Sequence, residues 1–181
     1  MIKKTNVPRI LDTSALVHDP RSLYAYQDDV YICLTVLEEL DNLKERRDKS
    51  VSADARFCIR MLEDLTSTVD TDQLINGIEL QGGNKLFIAV DTKLEINESL
   101  KHDLGSAADN RIINFAFHLK EKLKQEVKIV TKDINMRLKA RSIGVEAEDV
   151  AIDNQISDID LLYSGVQHFE GDFFDKPVSD E

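Results

Sequence analysis

The sequence predicts an α/β fold built on a central, mainly parallel sheet. Three observations carry this expectation. Arg9-Ile10-Leu11, Val30-Tyr31-Ile32-Cys33-Leu34 and Val127-Lys128-Ile129-Val130 are short apolar runs of strand-forming residues. They alternate with stretches whose apolar residues recur at helical spacing, the order that builds parallel strands joined by crossover helices. Residues 30–34 are continuously apolar rather than alternating, as a strand covered on both faces requires.

Taken in order, the first strand stops at Asp12, and Thr13 and Ser14 after it are hydroxyl residues able to cap a helix. Beyond the carboxyl ends of parallel strands lies the crevice where such sheets bind ligands, so Asp12 is a candidate for chemistry. The structural alternative is that it merely starts a turn. His18-Asp19-Pro20-Arg21-Ser22 reads as a turn into a short helix, with His18 structural or exposed. After the second strand, Thr35-Val36-Leu37-Glu38 has capping-box spacing, which occupies Glu38. Glu39, roughly 100° further round the helix, is then free for function.

A further helix is expected to open at Ser50 or Ser52, with Ala55, Cys58, Ile59, Leu62 and Leu65 as its buried stripe. Residues 78–80 and 86–90 form a hairpin joined through Gln81-Gly82-Gly83-Asn84, expected to decorate one side of the domain. Residues 91–103 are polar and loop-like. Ser106 is the expected cap of a long helix with Ile112, Ile113, Phe115, Ala116 and Leu119 on its apolar face. Asp109 falls in its first turn, where the helix dipole alone would also favour an acid. Lys128-Ile129-Val130-Thr131-Lys132-Asp133 repeats the grammar of the first strand, apolar residues running into a hydroxyl and then an acid. A helix over 134–141, stopped by Gly144, and an edge strand at 145–147 complete the order. From residue 153 the chain turns acidic and irregular.

Composition narrows the classes. A chain of 181 residues that is 42% hydrophobic suits one domain plus a tail. Its two cysteines, Cys33 and Cys58, lie in apolar segments without metal-ligand spacing, as buried thiols of a reducing compartment do. Neither a signal peptide nor an apolar run long enough to span a membrane is present, so a soluble cytoplasmic protein is expected. The 34 acids against 23 Lys and Arg give a net charge of −11, which suits cation binding and confines any basic track to a local patch.

Asp12, Glu39, Asp109 and Asp133 all stand at strand ends or at helix starts that follow strands. Were they to meet within ~6 Å, each pair would repel by roughly 2 to 3 kcal/mol at an effective dielectric near 20, so a cation is implied. Hard oxygen ligands without Cys or His select Mg²⁺ or Mn²⁺, whose natural chemistry here is phosphodiester hydrolysis.

Ile10-Leu11-Asp12-Thr13-Ser14-Ala15-Leu16, Val36-Leu37-Glu38-Glu39-Leu40-Asp41, Asp109-Asn110-Arg111-Ile112-Ile113 and Val130-Thr131-Lys132-Asp133-Ile134-Asn135-Met136-Arg137-Leu138-Lys139-Ala140 resemble the four signature segments of PIN domains. The second and fourth are especially similar to the PIN domain that precedes a PhoH-like ATPase. The resemblance spans about residues 8 to 150 and implies a three-layer α/β/α fold over residues 1–152. It implies a divalent-metal-dependent endoribonuclease acting on single-stranded RNA, with Asp12, Glu39, Asp109 and Asp133 as catalytic metal ligands. Thr131, and with it Ser14 and Asn135, would support them. Lys132, Arg137, Lys139 and Arg141, with Arg46, Arg47 and Arg111, are the candidates for guiding the RNA backbone. Solvated helix surface is the structural alternative for each of these cations.

No GxxxxGK[ST] phosphate loop occurs, so the ATPase of that architecture is outside this sequence. Residues 153–181 then read as a linker toward it, and the chain as an excised N-terminal domain in preference to a free-standing PIN protein. The relatives also suggest a homo-oligomer. Against the enzyme stands a noncatalytic PIN-fold module that binds RNA or a partner protein. A haloacid-type phosphotransferase would need an acid where Ser14 stands, and a phosphoreceiver would need paired acids before its phosphoacceptor strand, whereas none precede Asp12.

Overall fold

The computed structural model describes residues 6–100 and 106–150. Its elements run β1 (Arg9–Leu11), α1 (Thr13–His18), a 3₁₀ turn (Pro20–Tyr24), β2 (Val30–Cys33), α2 (Leu34–Lys44), α3 (Lys49–Thr66), α4 (Thr71–Asn76), β3 (Ile78–Glu79), β4 (Lys85–Ala89), a 3₁₀ turn (Glu98–Leu100), α5 (Ala107–Leu123), β5 (Lys128–Val130), α6 (Ile134–Ser142) and β6 (Glu146–Glu148). The six strands form one sheet in the order β3-β4-β2-β1-β5-β6. Every neighbouring pair is parallel except β3 with β4. The order steps outward from β1 in both directions, so the carboxyl ends of β1 and β5 lie side by side at a topological switch point.

Burial explains the run composition. Ile10, Leu11, Val30, Ile32, Cys33, Ile129 and Val130 are wholly buried between helical layers, which supply Leu16, Val36, Leu40, Ile112, Ile113 and Met136 to the same core. No helix among the described residues is long and apolar enough to cross a membrane. The segment 153–181, expected to be an acidic linker, lies outside the described residues, as do 101–103 of the expected loop.

Three local expectations are corrected. Thr35 does not close a capping box with Glu38. Helix α2 is capped at Cys33 without a side-chain bond, because the Thr35 backbone N–H and hydroxyl both donate to the buried carboxylate of Asp91, at the end of β4. Helix α3 opens at Asp48, which accepts from the backbone of Ser50 and Val51, earlier than Ser50 or Ser52 would place it. The hairpin is no decoration, since β4 pairs along its length with β2 and so sits inside the sheet. The short helix α4 was not expected; Asp70 and Gln73 close a capping box at its start. Ser106 caps α5 as expected. Gly144, at φ 81°, ends α6 in a left-handed conformation that glycine adopts without strain.

Candidate active site

Asp12 and Asp133 stand where they do because a strand has just ended. Asp12 follows β1 and caps α1, its carboxylate accepting from the Ser14 backbone. Asp133 follows β5 by three residues and caps α6, accepting from the backbone N–H groups of Asn135 and Met136 at 2.7 and 3.3 Å. Glu39 projects from α2, which leaves β2 directly, and Asp109 from the first turn of α5.

All four carboxylates line one shallow basin of about 680 Å³, together with Thr13, Ser14, Val17, His18, Leu43, Arg46 and Lys132. Asp12 is the most enclosed, at 5% exposure. Its Oδ2 accepts from Ser14 Oγ at 2.6 Å and from Thr131 Oγ1 at 2.8 Å. Those hydroxyls are tied in turn: Ser14 Oγ accepts from the Lys132 backbone N–H at 3.0 Å, and Thr131 Oγ1 from that of Asp133 at 3.1 Å. One lattice of hydrogen bonds thus locks the turn after β1 to the turn after β5. Asp12 Oδ1 takes no part in it. Across the basin, Thr13 Oγ1 donates to Glu39 Oε2 at 2.6 Å.

The electrostatics show what the basin lacks. Burial pushes the Glu39 carboxyl above its ordinary range; the charges of Asp12 and Asp109 add to this, against the Thr13 hydrogen bond and Arg46. Asp109 is raised in the same way, by burial and then by Asp12 and Asp133, with Lys139 and the Ser106 hydrogen bond opposing. Enclosed carboxylates raised by burial and by neighbouring acids are short of positive charge, and an all-oxygen donor set of this kind suits a hard divalent cation. Among the described residues, no three His, Cys, Asp or Glu side chains are gathered as closely as a finished ligand set. The acids surround a common space without converging on a point.

The other expected residues divide. Ser14 and Thr131 orient Asp12, whereas Asn135 contributes its backbone N–H to Asp133. Of the cations, Arg46 and Lys132 line the basin. Lys139 donates to Asn110 Oδ1 at 3.1 Å, one residue from Asp109. Arg111 lies 3.5 Å from Glu38, on the outer side of α2. Arg137 turns inward, donating to the Thr131 carbonyl at 2.6 Å and facing Asp149 at 3.4 Å. Arg141 donates to the Ala147 carbonyl at 2.7 Å, binding α6 to β6. Arg47 is exposed beyond the basin. Sequence reasoning missed His18 as a basin residue. Its position at the last turn of α1, six residues after Asp12, was the available signal.

A sequence profile of the family described as "PIN domain" matches residues 9–151. The chain is 31% identical over 167 residues to "Protein PhoH2" of Bacillus subtilis, covering 86% of this chain and 35% of that protein. It is 32% identical over 146 residues to "Protein PhoH2" of Thermobispora bispora, covering 77% of this chain and 31% of that one. The chain therefore spans about a third of the length of these curated relatives. Among solved structures, a domain of a functionally unknown protein from Methanocaldococcus jannaschii aligns with a TM-score of 0.49 at 15% identity, covering 79% of this chain and 90% of that one. A PilT N-terminus domain protein from Sulfolobus solfataricus aligns with a TM-score of 0.40 at 13% identity, covering 90% of this chain and 100% of that one.

Proposed function

The chain belongs to the PIN domain family, whose members are generally nucleases, and from that premise we propose that it is a divalent-metal-dependent endoribonuclease acting on single-stranded RNA. The observation that carries the reading is the delivery of Asp12, Glu39, Asp109 and Asp133, from four separate segments, to one basin at the carboxyl edge of the sheet.

In this reading the four carboxylates would hold Mg²⁺ or Mn²⁺. When bound, the ion supplies the positive charge that steadies the scissile phosphate and renders water nucleophilic. The remaining work belongs to the chain. Ser14 and Thr131 hold Asp12 Oδ2 and leave Oδ1 out of their hydrogen bonds, and Thr13 fixes the rotation of Glu39. Arg46 and Lys132, on the basin wall, receive the phosphate backbone, a role that needs charge and no base contact. Lys139 keeps positive potential near Asp109. The greater length of the PhoH2 relatives supports a division into a PIN-like unit over residues 1–152 and a linker over 153–181 that leads to a PhoH-like ATPase domain.

Cleavage of a labelled single-stranded RNA with Mn²⁺, with Mg²⁺ and with EDTA, beside the Asp12→Asn/Asp133→Asn double variant, tests the proposal. Metal-dependent cleavage lost in the variant is expected. A folded wild-type protein that binds RNA but leaves it intact in both metals would instead support the noncatalytic module.

A further inference from the structure

Two aromatic side chains among the described residues are left exposed, Tyr24 at 45% and Phe57 at 58%, and both line the same cavity. That cavity, of about 450 Å³, is completed by Arg60, Met61, Asp64 and Leu65. The other described aromatics are buried or half-buried, so this pairing departs from how the chain otherwise treats its rings. Phe57 and Arg60 lie on α3, and Tyr24 ends the 3₁₀ turn that follows α1. Helix α3 is fastened to α1, which leads into that turn, where Cys58 Sγ donates to the Leu16 carbonyl at 3.2 Å. The next two residues after Leu16, Val17 and His18, already line the acidic basin. Between His18 and Tyr24 the backbone spans at most about 15 Å, given a 3₁₀ rise near 2 Å per residue and an extended step near 3.5 Å.

We propose that the Tyr24–Phe57 pocket receives an unstacked nucleobase of the same single-stranded RNA whose backbone enters the acidic basin. The inference rests on the RNA reading above. Its chemistry is that of a base rather than a phosphate: two rings for stacking, an apolar floor of Met61 and Leu65, and a carboxylate, Asp64, able to accept from a base amino group while repelling phosphate. Arg60, on the same rim, meets the flanking phosphate or stacks on the base. Arg56, one turn earlier on α3, donates to the Lys44 carbonyl at 2.9 Å and so ties the pocket's helix to the end of α2, two residues before Arg46 of the basin.

The chain has no tryptophan, so Phe57→Trp places a sole indole in the pocket. Titration with single-stranded oligoadenylate in EDTA is expected to quench its fluorescence at least twofold. An oligomer with abasic residues is expected to bind without that quench. Phe57→Ala should weaken oligoadenylate binding, followed by anisotropy, roughly tenfold, the scale of one lost stacking partner. RNA that binds without quenching, or an abasic oligomer that quenches equally, overturns the pocket, the latter because the quench then needs no base. A chain that binds no RNA overturns it too. Because the readout needs no cleavage, quenching without metal-dependent cleavage retires the nuclease and keeps the pocket, and cleavage without quenching does the reverse.

Discussion

The Thr131 hydroxyl donates to Asp12 Oδ2 at 2.8 Å across 119 residues of chain. With the Ser14 hydroxyl on the same oxygen at 2.6 Å, it fixes both the position and the rotation of the most buried site acid. Both hydroxyls also accept from backbone N–H groups of the turn after β5, so orienting Asp12 and holding β1 against β5 are a single physical task.

Thr131→Val keeps the shape and removes the hydroxyl's bonds to Asp12 and from the Asp133 N–H. Thr131 is fully buried, so the Asp133 N–H and one Asp12 lone pair lose their protein partner, a loss of about 1 to 3 kcal/mol. Urea unfolding should show that loss, and calorimetric titration with Mn²⁺ should show weaker binding. Thr131→Ser should restore most of both. Wild-type stability in the valine variant would contradict the shared role.

Asp91 is the counterpart on the far side of β2. Buried at 3% exposure, it replaces the missing cap of α2 by accepting from Thr35, and α2 carries Glu39. Asp91→Ala should lower stability by about 1 to 3 kcal/mol through the orphaned Thr35 donors. Adding Thr35→Val should cost much less in that background than in the wild type, because the two changes remove one interaction. Additive losses in a double-mutant cycle would show that the pair does not act as a unit.

Legibility followed the range of the interactions. The strands and the acids at their ends were readable because a buried parallel strand is short, apolar and sharply terminated, as Arg9–Leu11 and Lys128–Val130 are. The cap of α2 was not, because Thr35 finds its partner 56 residues away rather than at Glu38. Helix α4 hid in a polar run, since none of its residues is buried and no apolar period marks it. The cations were legible as charges and not as directions. The sequence of α6 offers Arg137, Lys139 and Arg141 alike, but two of the three reach back to backbone carbonyls.

Two acids of the basin, Glu39 and Asp109, oppose folding at neutral pH. Burial holds the Glu39 and Asp109 carboxyls above their ordinary values, so the folded chain binds protons more tightly there than the unfolded chain does. Their contribution is fully favourable below the ordinary carboxylate range and is lost as pH rises through the raised values. Glu39→Gln, which keeps the acceptor for Thr13, and Asp109→Asn should therefore raise the Tm at pH 7 in EDTA. The advantage should shrink as the pH falls through the raised values and be gone by about 4, the ordinary carboxylate range, where folded and unfolded wild-type groups are both protonated. Saturating Mn²⁺ should reverse the ranking by stabilising the wild type alone. Variants that melt below the wild type at pH 7 in EDTA would show that the charges are already compensated.

Arg46 and Arg141 separate charge that meets RNA from charge that holds the fold. Arg46 is exposed on the basin wall, where a phosphate would displace counterions from it. Arg46→Ala should lower RNA affinity and reduce the slope of log affinity against log salt by about one, with little change in Tm. Arg141 spends its guanidinium on the Ala147 carbonyl, joining α6 to the edge strand β6. Arg141→Ala should leave the salt slope unchanged and lower stability by about 1 kcal/mol, the typical net worth of one such bond. Salt titrations by fluorescence anisotropy, paired with thermal melts, read both quantities on each variant. The reverse pattern, with the slope falling for Arg141 and holding for Arg46, would move the RNA path off the basin and onto the outer face of α6.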